Sequence, residues 1–482
     1  MRKKYLLNSP ETPGAGIARR VFSSPPLEIP LSRSEDRFEC IQLEEPELVF
    51  GGNHRCVDPR TGLAAFGPYS DASGGSRNEL RIGIVGTGEA IETAAAWLQK
   101  ISKPVEQDPN VDCILHPSFP GLNSGEPFSV DVVMQPSWRR SIDARELRLA
   151  EDCGNSAAKL GILRELFGAE VRALSNLEIP PNVVICAAPA RVERSLLQAA
   201  CGQSLPVEII REDKWPETDA VREDEATEAW NFSVRLLHKA GLTLWRVADA
   251  AGDACFAGVS FYREPESSSP QAWRSFAHVV TDLGQGCFLR GEVIRGETDA
   301  EMQETPHLDE GQAARLMGRV LEFYEKIAGR LPRKVVVHKS LPFSEAERLG
   351  IQDSLRGIER QALVSVRESR MFFLRSGRQP VFRGAAIPFG EKLGLVYLSG
   401  FIPFLHNSFG KQVPLPFEIA ENWGSLTFQQ AAADLLRLTK LSWSTSAFCS
   451  EVPATLDFPK QAREVLGILG EKDVALDDRY CL

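Results

Sequence analysis

Two stretches of this chain repeat one order of events: a short apolar run, a tight turn, then residues at helical spacing. The first is Leu80-Arg81-Ile82-Gly83-Ile84-Val85, followed by Gly86-Thr87-Gly88 and a helical pattern through Trp97-Leu98. The second is Asn182 to Ala188, then Pro189, a helical Arg191 to Ala200, and a further apolar run from Pro206 to Ile210. A short apolar run without alternation is suited to burial on both faces of a sheet, and helices between such runs supply the crossovers that parallel strands need. Residues 79–228 are therefore predicted to form a parallel, Rossmann-like α/β domain. Residues 1–78 read as an N-terminal arm and lead-in segment, with an irregular stretch rich in Pro, Ser and Arg to about residue 40 and a linker at Ser70 to Ser76.

Residues 211–230 hold eight acids against three bases and read as a solvated connector. Residues 229–482 then form a second domain. Leu242 to Asp249 and Ala254 to Arg263 flank Ala250-Ala251-Gly252-Asp253, which predicts a hairpin. Asp309-Glu310-Gly311-Gln312 has the form of a capping box. Ala313, Leu316, Met317, Val320, Leu321, Tyr324 and Ala328 follow it on one helical face, and Gly329 ends the helix. Val335-Val336-Val337 is a buried strand whose end carries His338-Lys339-Ser340. Hairpin, helix and central strand in this order match the opening of an RNase H-like fold, an order that other α/β folds share.

Composition excludes more than it selects. The 482 residues are 43% hydrophobic and 25% charged, enough for two or three cored domains. No run approaches the roughly 20 apolar residues of a membrane span, and Met1-Arg2-Lys3-Lys4 turns polar too early for a signal peptide, so a cytoplasmic location is expected. Ten cysteines without a CxxC pair suggest reduced thiols. A net charge of −10 argues against indiscriminate nucleic-acid binding but permits a local basic groove. Gly86-Thr87-Gly88 lacks the third glycine of a dinucleotide fingerprint, with Ile91 in its place, and P-loop, HExxH and GxSxG motifs are absent.

The segment from Ala229-Trp230-Asn231-Phe232 through Leu244-Trp245-Arg246-Val247 resembles the MID–PIWI junction of short prokaryotic Argonautes. Further blocks resemble the same family in the same order. Upstream are Glu45-Pro46-Glu47-Leu48-Val49-Phe50-Gly51 and Asp58-Pro59-Arg60. Downstream are Phe256 to Arg263, Thr305-Pro306-His307-Leu308, Val335 to Ser340, Phe382-Arg383-Gly384, Val413-Pro414-Leu415-Pro416 and Leu438 to Trp443. The chain leaves no room for the N and PAZ domains of long Argonautes.

This resemblance implies a MID domain gripping the 5′ end of a guide and a PIWI domain cradling the guide–target duplex, with an RNA guide and a DNA target. It implies Lys339, Arg375, Arg378, Arg383, Lys411 and Lys440 as candidates for the duplex channel. The family's catalytic aspartate positions fall on Ser260 and Ser340, which cannot replace the carboxylates a two-metal nuclease needs, and Lys339 beside them would repel a divalent ion. In the 5′ pocket, positions that the family fills with Lys and Gln read Gln198 and Glu208. Arg194 lies one turn before Gln198, and Arg235 and Lys239 repeat that spacing. Either Glu208 and the C-terminal carboxylate of Leu482 share a Mg2+ ion at the guide end, or Glu208 pairs with Arg194 or Arg211 and phosphate preference has been lost. The resemblance further implies a partner carrying an APAZ domain with a TIR, sirtuin-like or nuclease effector, in defence against plasmids or phages. Two other readings stand: an active RNase H-like guided nuclease, and a Rossmann nucleotide-binding protein using Gly86 to Gly88.

Overall fold

The computed structural model describes residues 39–69, 78–123, 130–202, 204–211, 224–263, 272–295, 306–371, 380–409, 413–469 and 475–481. The arm before residue 39, the Ser70–Ser76 linker and most of the acidic connector lie outside the described residues. So do Arg375, Arg378, Lys411 and Leu482.

The first sheet is built as its apolar runs require. Strands β1 (Asn78–Gly86), β2 (Val130–Val133), β3 (Arg139–Ser141), β4 (Val183–Ala188) and β5 (Val207–Arg211) pair in parallel throughout, in the order β2-β1-β4-β5. β3 continues the β2 edge along the second half of β1. Every residue of β4 is buried. Its side chains alternate between two apolar clusters, with Val183, Ile185 and Ala187 on one face and Val184, Cys186 and Ala188 on the other. Helix α1 (Gly88–Ile101) starts at Thr87, whose hydroxyl accepts from the Ala90 amide. The Gly86-Thr87-Gly88 turn thus has a structural role as a helix cap. Helix α2 (Arg194–Cys201) joins β4 to β5.

Helix α3 (Glu225–Lys239) leads toward the second sheet and runs across the 228/229 boundary expected between domains. The acidic connector ends differently from the prediction, because its last residues are the first turn of this helix. Asp224 caps it, and Glu225 and Glu228 sit where the helix dipole favours negative charge. Its apolar face carries Trp230, Phe232, Leu236 and Leu237 into the cluster shared by both sheets.

Among the described residues the second sheet has ten strands. Its centre is a meander of β6 (Ala254–Arg263), β7 (Ala272–Thr281) and β8 (Gly286–Arg295). Helix α4 (Glu310–Ala328) then crosses to β9 (Lys334–Lys339), parallel to β6, and helix α5 (Glu345–Ser354) crosses to β10 (Arg360–Glu368), parallel to β9. The resulting order, β8-β7-β6-β9-β10, is the RNase H-like arrangement. β11 (Ala385–Pro388), β12 (Gly394–Val396) and β13 (Phe417–Gly424) extend the β10 side. α6 (Phe428–Leu438) and α7 (Ala454–Ile468) follow, and β14 (Leu476–Asp477) closes the β8 edge. α4 has the predicted capping box at Asp309 and Gln312, and Gly329 ends it in the left-handed region at φ 68°. α7 lies directly on β6, where a Cβ at Gly258 would meet the Thr455 carbonyl oxygen at 1.8 Å, so only glycine fits.

The hairpin prediction needs correction. Ala254–Arg263 pairs with Ala272–Thr281, whereas Arg246–Val247 joins Leu48–Val49 and Arg55–Cys56 in a separate three-stranded sheet. Leu244 and Trp245 are buried in the inter-sheet core and hold this segment there, so Gly252 (φ 65°) turns the chain from one sheet to another. A helix, Pro59–Phe66, stands within the lead-in segment. It is started by Asp58 accepting from the Thr61 amide and by proline at its first position.

Candidate functional site

Four residues singled out in the sequence meet where β5, α2 and α3 converge. β5 carries Glu208 with no exposed surface. Its Oε2 accepts from Lys239 Nζ at 2.7 Å, its Oε1 accepts from Arg235 Nε at 2.8 Å, and Arg194 Nη2 stands 3.7 Å from Oε2. Lys239 also donates to the Val207 carbonyl at 2.7 Å and is 1% exposed, so its ammonium is consumed internally. The two arginines keep solvent access, with side-chain exposures of 21% for Arg235 and 41% for Arg194. Burial pushes the Glu208 carboxyl up, but Lys239, Arg235 and Arg194 outweigh it and hold the group well below the usual carboxylate range. Burial lowers the Lys239 ammonium to about 8, partly opposed by Glu208. Three cations around one carboxylate leave a net charge of +2, an anion site whose internal wall is already neutralised.

Gln198, one turn after Arg194, is buried and does not join the cluster. Its Nε2 donates to the Tyr480 carbonyl at 2.7 Å, tying α2 to the turn that ends the described chain. Arg211 is not the partner of Glu208 either, since it donates to the Ala190 carbonyl. Both carboxylate oxygens of Glu208 already face cations, and Leu482, the other residue expected to hold a shared Mg2+ ion, lies outside the described residues. Among the described residues no group of three or more His, Cys, Asp or Glu is arranged to hold a metal ion.

A second location is the C-terminal edge of the parallel strands β6 and β9. Their last paired residues are Val259 and Lys339, so Ser260 and Ser340 stand side by side just beyond. Asp253 and Glu292 do not reach this edge freely. Asp253 precedes β6 at its opposite end, and Glu292 is held by Arg315 of α4, with one contact at 2.9 Å. Lys339 also departs from expectation. Strand alternation turns it to the α4–α5 face, where its Nζ donates to Glu347 at 2.6 and 2.8 Å and stands 3.2 Å from His307 Nδ1.

The channel candidates that can be placed are internal. Lys339 is 1% exposed. Arg383 is 3% exposed and bonds Glu45 (2.9 Å) and Thr439 (2.8 Å). Lys440 is 1% exposed and bonds Glu45, the Val57 carbonyl and the Phe448 carbonyl within 2.9 Å. These three are corrected from duplex contacts to structural cations, since a side chain without accessible surface cannot meet a phosphate. Arg383 and Lys440 clamp the segment around Glu45 onto the second sheet and its helices. Basic residues in an acidic protein carried no sequence signal separating these roles, although Ser344-Glu345-Ala346-Glu347 has the capping-box pattern that orients Lys339's partner.

No protein-family model matches the chain, and no curated protein matches it. Among solved structures, Clostridium butyricum Argonaute, bound to a guide DNA with a 5′ deoxycytidine and to a 19-mer target DNA, superposes over 92% of this chain with a TM-score of 0.64 at 14% identity. The chain has an Argonaute fold. The A. aeolicus Argonaute agrees, at a TM-score of 0.58 and 12% identity over 93% of the chain, as does Aa-Ago with externally bound siRNA at 0.56 and 12% identity. The chain spans 55 to 57% of the lengths of these three Argonautes. Among the described residues no helix is long and apolar enough to cross a membrane.

Proposed function

We propose that this chain comprises the MID and PIWI domains of an Argonaute, holds the 5′ end of a guide strand at Arg194 and Arg235 and does not cleave. Sequence recognition is delegated to base pairing with a complementary target, with RNA as the guide and DNA as the target. The observation that carries this reading is the convergence of Arg194, Arg235 and Lys239 on Glu208 within an Argonaute fold. The internal carboxylate consumes Lys239, while the partly exposed Arg194 and Arg235 present positive charge to the guide end, so the preference for a 5′-phosphate is weak and independent of metal. Serines side by side at the β6 and β9 ends support the absence of two-metal nuclease chemistry. An APAZ-domain protein with a TIR, sirtuin-like or nuclease effector completes the system, which acts in the cytoplasm against plasmids or phages.

Purification of the chain with the product of its neighbouring gene, followed by sequencing of the bound nucleic acid, tests the reading. Short strands of narrow length distribution and mixed 5′ chemistry are expected. Material free of nucleic acid, or carrying strands of random length, would overturn it.

A further inference from the structure

Two cysteines meet inside the first domain. Cys186 lies on β4, the strand between β1 and β5, and Cys201 is the last residue of α2. Their Sγ atoms stand 3.8 Å apart, and both residues are buried, at 0% and 1% exposure. A disulfide bond is about 2.0 Å long, so the sulfurs must close by about 1.8 Å, a movement that side-chain rotation at the end of a helix supplies. Val184, Leu197 and Ala200 share their apolar cluster and hold strand and helix together around them. The pair also brackets a functional segment, since the β4–α2 turn, Arg194 and Gln198 all lie between the two cysteines.

The two thiols differ in how they can be reached. Every residue of β4 is buried, and contact with Cys201, together with burial, holds the Cys186 thiol well above its usual range, so it stays protonated. Cys201 instead ends a helix. Gly202 follows it at φ 67°, and the Gly202 amide closes the last turn on the Gln198 carbonyl at 3.3 Å, a long contact that fraying of the helix end releases.

We propose that Cys186 and Cys201 are a peroxide-oxidisable pair whose disulfide staples the segment carrying Arg194. Cys201, as thiolate on the opened turn, attacks one oxygen of hydrogen peroxide. The O–O bond breaks, and the leaving hydroxide takes up the thiol proton as water, which leaves a sulfenic acid on Cys201. Cys186 sulfur then attacks the sulfenic sulfur as the turn closes. The S–O bond breaks, the S–S bond forms, and the hydroxyl departs with the Cys186 proton as a second water. Two thiols give up two electrons and the peroxide accepts them. Arg194 stands roughly 10 Å from Cys201 along α2, so the staple restricts its freedom more than its position. The disulfide is independent of the guide-end reading, and its effect on guide affinity rests on that reading.

Peptide mapping of the whole chain after hydrogen peroxide treatment, alkylation and trypsin digestion without reductant tests the pairing. Cleavage after Arg172, Arg191, Arg194 and Arg211 puts Cys186 in residues 173–191 and Cys201 in residues 195–211, each peptide with a single cysteine. The two are expected joined after oxidation and separated by dithiothreitol. The staple is expected to raise the melting temperature by about 3 °C in wild type and not in Cys186→Ala or Cys201→Ala. By fluorescence anisotropy it should tighten guide binding about threefold, because freedom is lost before binding rather than on it. Peptides that stay separate once the exposed Cys40 and Cys113 have been oxidised overturn the proposal, as does a joined pair with unchanged melting temperature and guide affinity. Arg194→Ala in reduced protein tests the guide-end reading by itself. If that variant binds guide like wild type, the guide-end reading fails, and the linked peptides and melting temperature still decide the staple.

Discussion

Replacing Glu208 with Gln keeps the shape of the side chain and removes the one negative charge in the Arg194–Arg235–Lys239 cluster. Two effects follow. A buried cation that loses its counter-ion costs about 3 to 5 kcal/mol. The second effect bears on the guide. Arg194 stands 3.7 Å from the carboxylate, so an anion on the far side of its guanidinium lies about 6 Å from Glu208, where repulsion at an effective dielectric of 20 is about 3 kcal/mol per charge. Arg194 is 41% exposed, and solvent screening reduces this to about 1.4 kcal/mol, a factor of about ten. Fluorescence anisotropy with guides differing only at the 5′ end measures it. Wild type should bind 5′-phosphate and 5′-hydroxyl guides within a few-fold of each other with or without EDTA, and Glu208→Gln should favour the phosphate about tenfold. Circular dichroism confirms folding. An unchanged preference in a folded Glu208→Gln protein, or a strong wild-type preference abolished by EDTA, would refute this electrostatic account.

Three further outcomes are expected. Because Lys239 titrates near 8 and only its protonated form attracts an anion, affinity for a phosphorylated guide should fall as pH rises through that value, and Lys239→Arg should flatten the profile of an anisotropy titration. Arg383→Ala and Lys440→Ala should each destabilise the chain by about 1 to 3 kcal/mol in urea unfolding, by removing one of the two cations bonded to Glu45, while leaving the salt dependence of nucleic-acid binding unchanged. Ser260→Asp combined with Ser340→Asp should produce no Mg2+- or Mn2+-dependent cleavage on a sequencing gel, since the remaining ligands and their supporting contacts are missing. Cut product would count against it.

The parts of the fold that were legible in the sequence are those whose residues satisfy two constraints at once. β4 is apolar at every position because both of its faces are covered, and α4 announces itself by a capping box, an apolar stripe and a terminal glycine. The segment Leu242 to Asp249 was misread because its partner, Leu48–Val49, lies nearly two hundred residues away, and local turn chemistry at Gly252 carries no information about that pairing. At the candidate site, the family resemblance named Arg194, Arg235 and Lys239 for one pocket with Glu208, and the four do converge, whereas Gln198, named with them, bonds a backbone carbonyl near the chain's end. The duplex-channel residues were least legible. Lys339, Arg383 and Lys440 are lysines and arginines like any others until Glu347 and Glu45 are seen beside them.

The central claim is that this chain holds a complementary strand through a guide and leaves it intact. A gel shift with end-labelled target reads both halves at once, when guide-loaded protein is incubated with Mg2+ and Mn2+ and the recovered target is sized on a denaturing gel. Retention of the complementary target about a hundredfold tighter than a scrambled one, at full length, is the predicted result. Equal retention of both strands, or recovery of the complementary strand cut at one position, would contradict the account.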